Sequence, residues 1–322
     1  MATIDVFNGD ADGICALAQL RNAEPTDSRV VTGVKRDIAL LERVEAQAGD
    51  TVTVLDVSLD KNREGLLRVL ADGASVFYVD HHFAGDIPAS DRLETIIDTA
   101  PEVCTSLLVD RHLGGEFSLW AVTGAFGDNL DVSARSLAQP LGLVEDELTK
   151  LANLGVYINY NGYGAAVEDL HFPPAELFER VKPYASPLDF AADDRETFQK
   201  LESGYREDMA AAETIAPAAE SERTAVYILP DEAWARRVSG VFSNQLANSS
   251  PERGHAVITE RSDSSYLVSV RAPLSNKVGA DELCRRFPTG GGRTAAAGIN
   301  KLPANQLEDF ITQFAAFYGD VG

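Results

Sequence analysis

Cysteine is nearly missing from this chain, with three in 322 residues, at Cys15, Cys104 and Cys284. Each stands alone in apolar surroundings. That argues against a disulfide framework or a cysteine-rich zinc site and points to small core residues in a reducing cytoplasm. Basic residues are scarce too: 28 Lys and Arg face 50 Asp and Glu, for a formal net charge of −22. A surface of that sign repels long nucleic acid, whose binding rests on neutralising phosphates. A small phosphorylated ligand needs only a local positive pocket, and bound divalent metal would add charge there. The same acidity also keeps a protein in solution without any ligand. Long apolar runs are absent, so no membrane span is expected. The N terminus enters a strand pattern directly, with no basic-then-apolar leader, and a cytoplasmic location is expected. What remains, 45% hydrophobic and 24% charged, is an ordinary globular composition, long enough for two domains with real cores.

Strand patterns alternate with helical ones through the first third. Strands are predicted near 3–8, 29–34, 51–57, 75–80 and 94–98, and helical spacing over 11–21, 38–48 and 61–71. That alternation is the signature of βαβ units and a parallel sheet. From Cys104 to about Tyr184 the pattern turns mainly helical. A polar, acidic, alanine-rich stretch, 186–221, reads as a connecting helix with loops. A second α/β pattern follows, with strands near 225–229, 256–259 and 266–271 and helices near 238–247, 278–287 and 305–318. The expectation is an α/β chain: a parallel-sheet domain over 1–185, the connector, and a smaller α/β domain over 222–322, with a cleft between the domains.

Chemistry gathers at the strand ends. The apolar run Ser75-Val76-Phe77-Tyr78-Val79 delivers Asp80-His81-His82. The run ending in Phe7 leads into Asn8-Gly9-Asp10-Ala11-Asp12-Gly13, and the run ending in Leu55 leads into Asp56. Ligands of an open parallel sheet bind outside the carboxyl ends of its strands, so these clusters should converge. Any single acid there is commonly a helix cap or turn residue. Three in one α/β pattern favour a metal centre, and carboxylate with imidazole suits Mn, Zn or Fe. Asp10 and Asp12 could serve two neighbouring ions or grip one, with Asp56 between, His81 adding nitrogen, and Asp128 a further carboxylate. Two divalent ions ~3.5–4 Å apart can activate water and stabilise in-line phosphoryl displacement.

These ordered motifs, Asp10-Ala11-Asp12, Asp56, Asp80-His81-His82 and Asp128, resemble those of the DHH phosphoesterase superfamily. Its members include RecJ exonucleases, nanoRNase/phosphoadenosine-phosphate phosphatases, cyclic-dinucleotide phosphodiesterases and family II pyrophosphatases. The segment Gly290-Gly291-Gly292-Arg293-Thr294-Ala295-Ala296-Ala297-Gly298 resembles the marker of the DHH-associated domain, so the likeness covers nearly the whole chain. The resemblance implies a two-metal site, normally Mn2+ with other divalent ions also accepted. Asp10 would hold the first ion and Asp12, His81 and Asp128 the second, with Asp56 bridging. His82 would lie near the scissile phosphate, and Asp80 would orient a neighbouring histidine.

Two positions depart from the pattern. Many relatives carry a metal-binding histidine four residues before Asp10, where this chain has Val6; Asn8 is the nearest substitute. Arg293 stands where the family usually has histidine after the glycines. Glycines let backbone N–H groups approach a phosphate, and an arginine fork adds bidentate recognition. Arg271, Lys35 and Arg36, at predicted strand ends, are further candidate phosphate contacts, weighed against plain surface cations. Tyr157, Tyr160 and Tyr163 could stack a base, although a core role is the more common one for such residues. His112, His171 and His255 lack partner spacing. The resulting expectation is a metal-dependent phosphoesterase of small nucleotides: short oligonucleotides, 3′-phosphoadenosine 5′-phosphate or cyclic dinucleotides. The alternative is a nucleotide-binding or sensing protein with weakened catalysis. Neither long nucleic acid nor membrane is an expected partner, and a homodimer is left open.

Overall fold

The computed structural model describes residues 1–319. The chain divides into two units, Met1–Tyr205 and from Arg206 onward. The division falls within the segment 186–221, which is largely helical: α8 (Pro187–Asp193), then α9 (Arg195–Glu213).

The first unit runs β1 (Thr3–Phe7), α1 (Ala11–Ala23), β2 (Arg29–Val31), β3 (Thr51–Leu55), α2 (Leu59–Ala71), β4 (Ser75–Asp80) and β5 (Leu93–Ile97). Helices α3 (Thr105–His112), α4 (Ser118–Gly127), α5 (Asp131–Ala138), α6 (Glu145–Asn161) and α7 (Pro174–Val181) precede α8. The sheet order is β2-β1-β3-β4-β5, every neighbouring pair parallel. Parallel strands covered on both faces must be apolar on both, and alternate residues of β1 enter opposite cores. Ile4 and Val6 pack with Leu40, Leu41 and Leu66, while Phe7 packs with Ile14, Leu17 and Phe178. Asp5 is also buried on β1, and Arg21 of α1 neutralises it at 2.5 Å. With β1 between β2 and β3, the chain changes direction across the sheet beside β1. This topological switch is where open α/β sheets place their ligand sites.

The second unit runs β6 (Ala219–Glu220), β7 (Thr224–Leu229), α10 (Ala233–Ser249), β8 (Gly254–Glu260), β9 (Ser265–Arg271), α11 (Ala280–Cys284), β10 (Gly290–Gly292), β11 (Ala296–Pro303) and α12 (Leu307–Gly319). Its sheet, β10-β11-β9-β8-β7-β6, pairs β7 with β8 in parallel and its other neighbours antiparallel. Val226 and Ile258 pack with Leu283 and Phe310 on one face; Leu229 and Val257 pack with Val238 and Phe242 on the other.

One predicted helix, over 38–48, is instead a short 3-10 turn at Leu40–Arg43 within irregular chain. The apolar spacing there serves burial rather than helix formation. Asn62 of α2 donates to the Ile38 carbonyl and accepts from Leu41 N–H, and Arg68 donates to the carbonyls of Leu41, Glu42 and Val44. With its backbone satisfied from outside, the segment needs no internal helical bonds. The glycine run 290–292, whose glycines are expected to let backbone N–H groups approach a phosphate, is a short edge strand, paired Gly290 to Ile299 and Gly292 to Ala297. The three cysteines are buried and free. No helix of the described residues is long and apolar enough to cross a membrane.

Candidate metal centre

The end of β1 turns tightly into α1. A Cβ on Gly13 would lie 2.2 Å from the Asn8 carbonyl oxygen, so the turn requires glycine there. Asp10 caps α1: its Oδ1 accepts from the N–H groups of Asp12 and Gly13, at 3.1 and 3.2 Å. Asp12 lies within the first turn, and its carboxylate meets a second helix N terminus. Oδ2 accepts from Thr105 N–H and Oδ1 from Ser106 N–H, both at 2.7 Å, at the start of α3. Two backbone donors and a helix dipole hold a buried carboxylate at one angle.

Asp56 follows β3 in the left-handed region, φ 58°, a conformation short polar side chains tolerate better than most. Its N–H donates to the Val79 carbonyl, and Thr105 Oγ1 donates to its Oδ1 at 3.3 Å. Burial first, then the charges of Asp10, Asp12, Asp80 and Asp128, push the Asp56 carboxyl well above its ordinary range. Asp128 caps α4, where Gly127 permits close packing; a Cβ there would sit 2.3 Å from that of Ala11. Burial, then Asp12, raises the Asp128 carboxyl to about 6, against the opposing pull of Lys35.

The two histidines after β4 are held differently. His81 Nδ1 lies 3.0 Å from the Val103 carbonyl. A carbonyl only accepts, so Nδ1 carries a hydrogen, and in the neutral ring it is Nε2 that presents the lone pair. That lone pair faces Asp56 Oδ1 at 3.3 Å and Asp12 Oδ2 and Asp128 Oδ2 at 3.9 Å each. Lone pairs turned toward one another repel unless a proton or a metal cation lies among them. Separations of this size fit neighbouring ligands around an ion bound at ~2.0–2.2 Å. His82 Nδ1 instead pairs with Asp80 Oδ1 at 2.7 Å. The Asp80 hydrogen bond raises the His82 pKa, against the effect of partial burial. A second grouping, Asp56 with His81 and His82, also brings possible ligand atoms together, but the His82 nitrogen 3.9 Å from Asp56 Oδ1 is Nδ1, which already pairs with Asp80. The set Asp12, His81 and Asp128, with Asp56 beside it, is the better cation cradle.

Lys35 enters the same centre from the loop after β2. Its Nζ lies 2.7 Å from Asp10 Oδ2, 2.9 Å from Asn159 Oδ1 and 3.7 Å from Asp128 Oδ1. Burial alone would raise the Asp10 carboxyl, but the Lys35 charge and hydrogen bond carry it below its ordinary range. Asn8 Oδ1 is buried without a hydrogen-bond partner, and Val6 is buried in the core. Arg36, next in the loop, is exposed.

In this arrangement the first unit brings together Asp10, Asp12, Asp56, Asp80, His81, His82, Asp128 and Lys35. The fold that gathers them has counterparts among solved structures. The chain matches no protein-family model and no curated protein. It does match a solved exonuclease RecJ bound to manganese, at 18% identity and TM-score 0.66, covering 99% of this chain and 91% of that one. The DHH domain of a protein assigned to a ribosomal-protein family aligns at 13% identity and TM-score 0.65, over 98% of this chain and 86% of that one. The pGpG-specific phosphodiesterase PggH from Vibrio cholerae aligns over the full length of both chains, at 13% identity and TM-score 0.58. The chain has the fold of the RecJ and DHH-domain structures.

Within the DHH fold's second unit, Arg271 stands opposite Ala296, next to the Gly292–Ala297 pair, so it shares one stretch of sheet with the glycine strand. Its guanidinium bonds Asn244 Oδ1 at 2.7 Å and Ser269 Oγ at 3.0 Å. Arg293 is exposed at the turn between β10 and β11. Tyr157 and Tyr160 are buried, Tyr160 edge-on to Tyr205, which gives them the core role. The sequence reading missed Val103, Thr105, Ser106 and Asn159. Three of these act through backbone atoms, for which the only sequence signal is a Thr-Ser pair opening a helix.

Proposed function

We propose that this chain is a divalent-metal-dependent phosphoesterase of small nucleotides, with Mn2+ as the working ion. The observation that carries the reading is His81. Its hydrogen-bonded Nδ1 leaves the Nε2 lone pair facing three carboxylates. Asp12, Asp56, His81 and Asp128 would hold the metal. A divalent ion there supplies Lewis acidity, neutralising phosphate oxygens and making water a nucleophile at neutral pH.

The remaining chemistry belongs to the chain. With Nδ1 bonded to Asp80, His82 keeps Nε2 for a proton, and at 45% side-chain exposure it can deliver that proton to a leaving oxygen. The raised His82 pKa favours the protonated, acid form. Asp80 fixes the tautomer and ring angle. In the second unit, the glycine strand with Arg293 and Arg271 supplies contacts for an anionic substrate. The net charge of −22 favours short over long nucleic acid. A nucleotide-sensing role is the second reading, favoured by Val6 in place of a ligand. A panel of short oligonucleotides, 3′-phosphoadenosine 5′-phosphate and cyclic and linear dinucleotides, assayed with Mn2+ for product release and thermal shift, decides between them. Turnover supports the phosphoesterase; nucleotide-induced stabilisation without turnover supports the sensor.

A further inference from the structure

We propose that the Lys35 ammonium takes the place of the second cation in this centre, so that the chain binds one divalent ion rather than a pair. The inference rests on the metal centre proposed above and concerns how many ions it takes.

The two oxygens of Asp10 are both committed. Oδ1 caps α1 through two backbone N–H groups, and Oδ2 lies 2.7 Å from Lys35 Nζ. The ammonium has three donors, and three oxygens surround it: Asp10 Oδ2, Asn159 Oδ1 at 2.9 Å and Asp128 Oδ1 at 3.7 Å. Asp128 spans the two positions, with Oδ1 toward Lys35 and Oδ2 toward His81 Nε2. This lysine is also built in. Its N–H donates to the Gly162 carbonyl at 2.8 Å, and its own carbonyl accepts from Asn8 Nδ2 at 3.3 Å. On the Asp10 side, the residue four before it is Val6, an apolar side chain packed into the core.

Charge points the same way. Four carboxylates gather here, Asp10, Asp12, Asp56 and Asp128, with one lysine among them. A single divalent ion plus Lys35 leaves them one charge short of neutral and two ions would leave one charge over, but a second divalent ion beside Asp10 would share its carboxylate with an ammonium of like sign. The lysine would then act as a fixed positive charge on the reacting phosphate, while the lone ion sits at His81.

The test is metal stoichiometry, read without turnover. Metal-stripped protein is titrated calorimetrically with Mn2+, and the loaded protein is examined by electron paramagnetic resonance, which separates isolated from spin-coupled manganese. The wild type is expected to take one Mn2+ per chain with an isolated-ion spectrum. Lys35→Met and Lys35→Ala are expected to take two, with a coupled spectrum. Two ions in the wild type, or one ion in folded Lys35 variants, overturns the assignment while leaving the metal centre standing. A wild type that binds none overturns the metal centre and this assignment with it. The wild-type measurement decides even if both variants misfold.

Discussion

Asp56→Asn should make the metal-free protein more stable while removing its response to metal. Asp56 is ionisable in a place that penalises its charge: it is buried and surrounded by Asp10, Asp12, Asp80 and Asp128. Asparagine matches its shape, tolerates φ 58° and keeps an acceptor for Thr105 Oγ1. Removing one charge from such a functional site is worth about 1–2 kcal/mol, the usual scale of stability given up for function. For a unit of this size that is roughly 2–8 °C in Tm. The sign with pH follows from the raised pKa. Below the ordinary value of 3.8 the carboxyl is protonated folded or unfolded, so the advantage of Asn vanishes there and grows as pH rises toward neutrality. With Mn2+ at a hundredfold over Kd, the wild type should gain about 2.7 kcal/mol, whereas Asp56→Asn, left with a weak neutral ligand, should gain none. Asp56→Ala separates charge from backbone: it loses the acceptor and carries a left-handed penalty of ~1–2 kcal/mol, so it should melt below the Asn variant. Scanning calorimetry in chelator and in Mn2+ reads all three. An Asn variant that melts below the wild type in chelator, or keeps the full Mn2+ shift, refutes the argument.

His81→Ala should abolish both turnover and the Mn2+-induced thermal shift. His82→Ala should lower kcat by roughly 10²–10⁴-fold yet keep the Mn2+ shift, because its Nδ1 is bonded to Asp80; equal loss of the shift in both variants would contradict these roles. Arg293→Ala should raise KM on a terminally phosphorylated substrate with kcat little changed, and an unchanged KM would remove Arg293 from substrate binding. In the second unit, burial and then the Arg253 charge hold His255, which is 2% exposed, at about 4 rather than 6.5. Its neutral form therefore stabilises the fold fully above pH 6.5, and that contribution, on the order of 3 kcal/mol, drains away as pH falls toward 4. Denaturant unfolding of wild type and His255→Gln at neutral and acid pH should show the smaller acid loss in the variant.

Much of the first unit was legible because a parallel strand buried on both faces has few ways to look. β1, β3 and β4 are short β-branched runs, each closed by polar residues, and each ends within two residues of its prediction. The stretch 38–48 misled because apolar spacing reports burial, while the bonds that settle its backbone come from Asn62 and Arg68 on another element. β10 and β11 carry little signal, since a glycine strand has no side-chain alternation to read. Lys35 has the sequence signature of a strand-end cation for substrate. Its partners Asp10, Asn159 and Asp128 lie 25, 124 and 93 positions away in the chain, so no local pattern could announce them.

What the amino-acid order determined alone was chemistry by type and rough place: acids and imidazoles at the carboxyl ends of buried strands, which pleat and crossover geometry force to one edge. The tertiary structure alone decided how each is aimed. The Val103 carbonyl selects which His81 nitrogen is bare, the N terminus of α3 sets the angle of Asp12, and an anchored loop sets Lys35 against Asp10. Those are hydrogen bonds between atoms far apart along the chain, many of them backbone atoms that every residue possesses, and only folding brings them together.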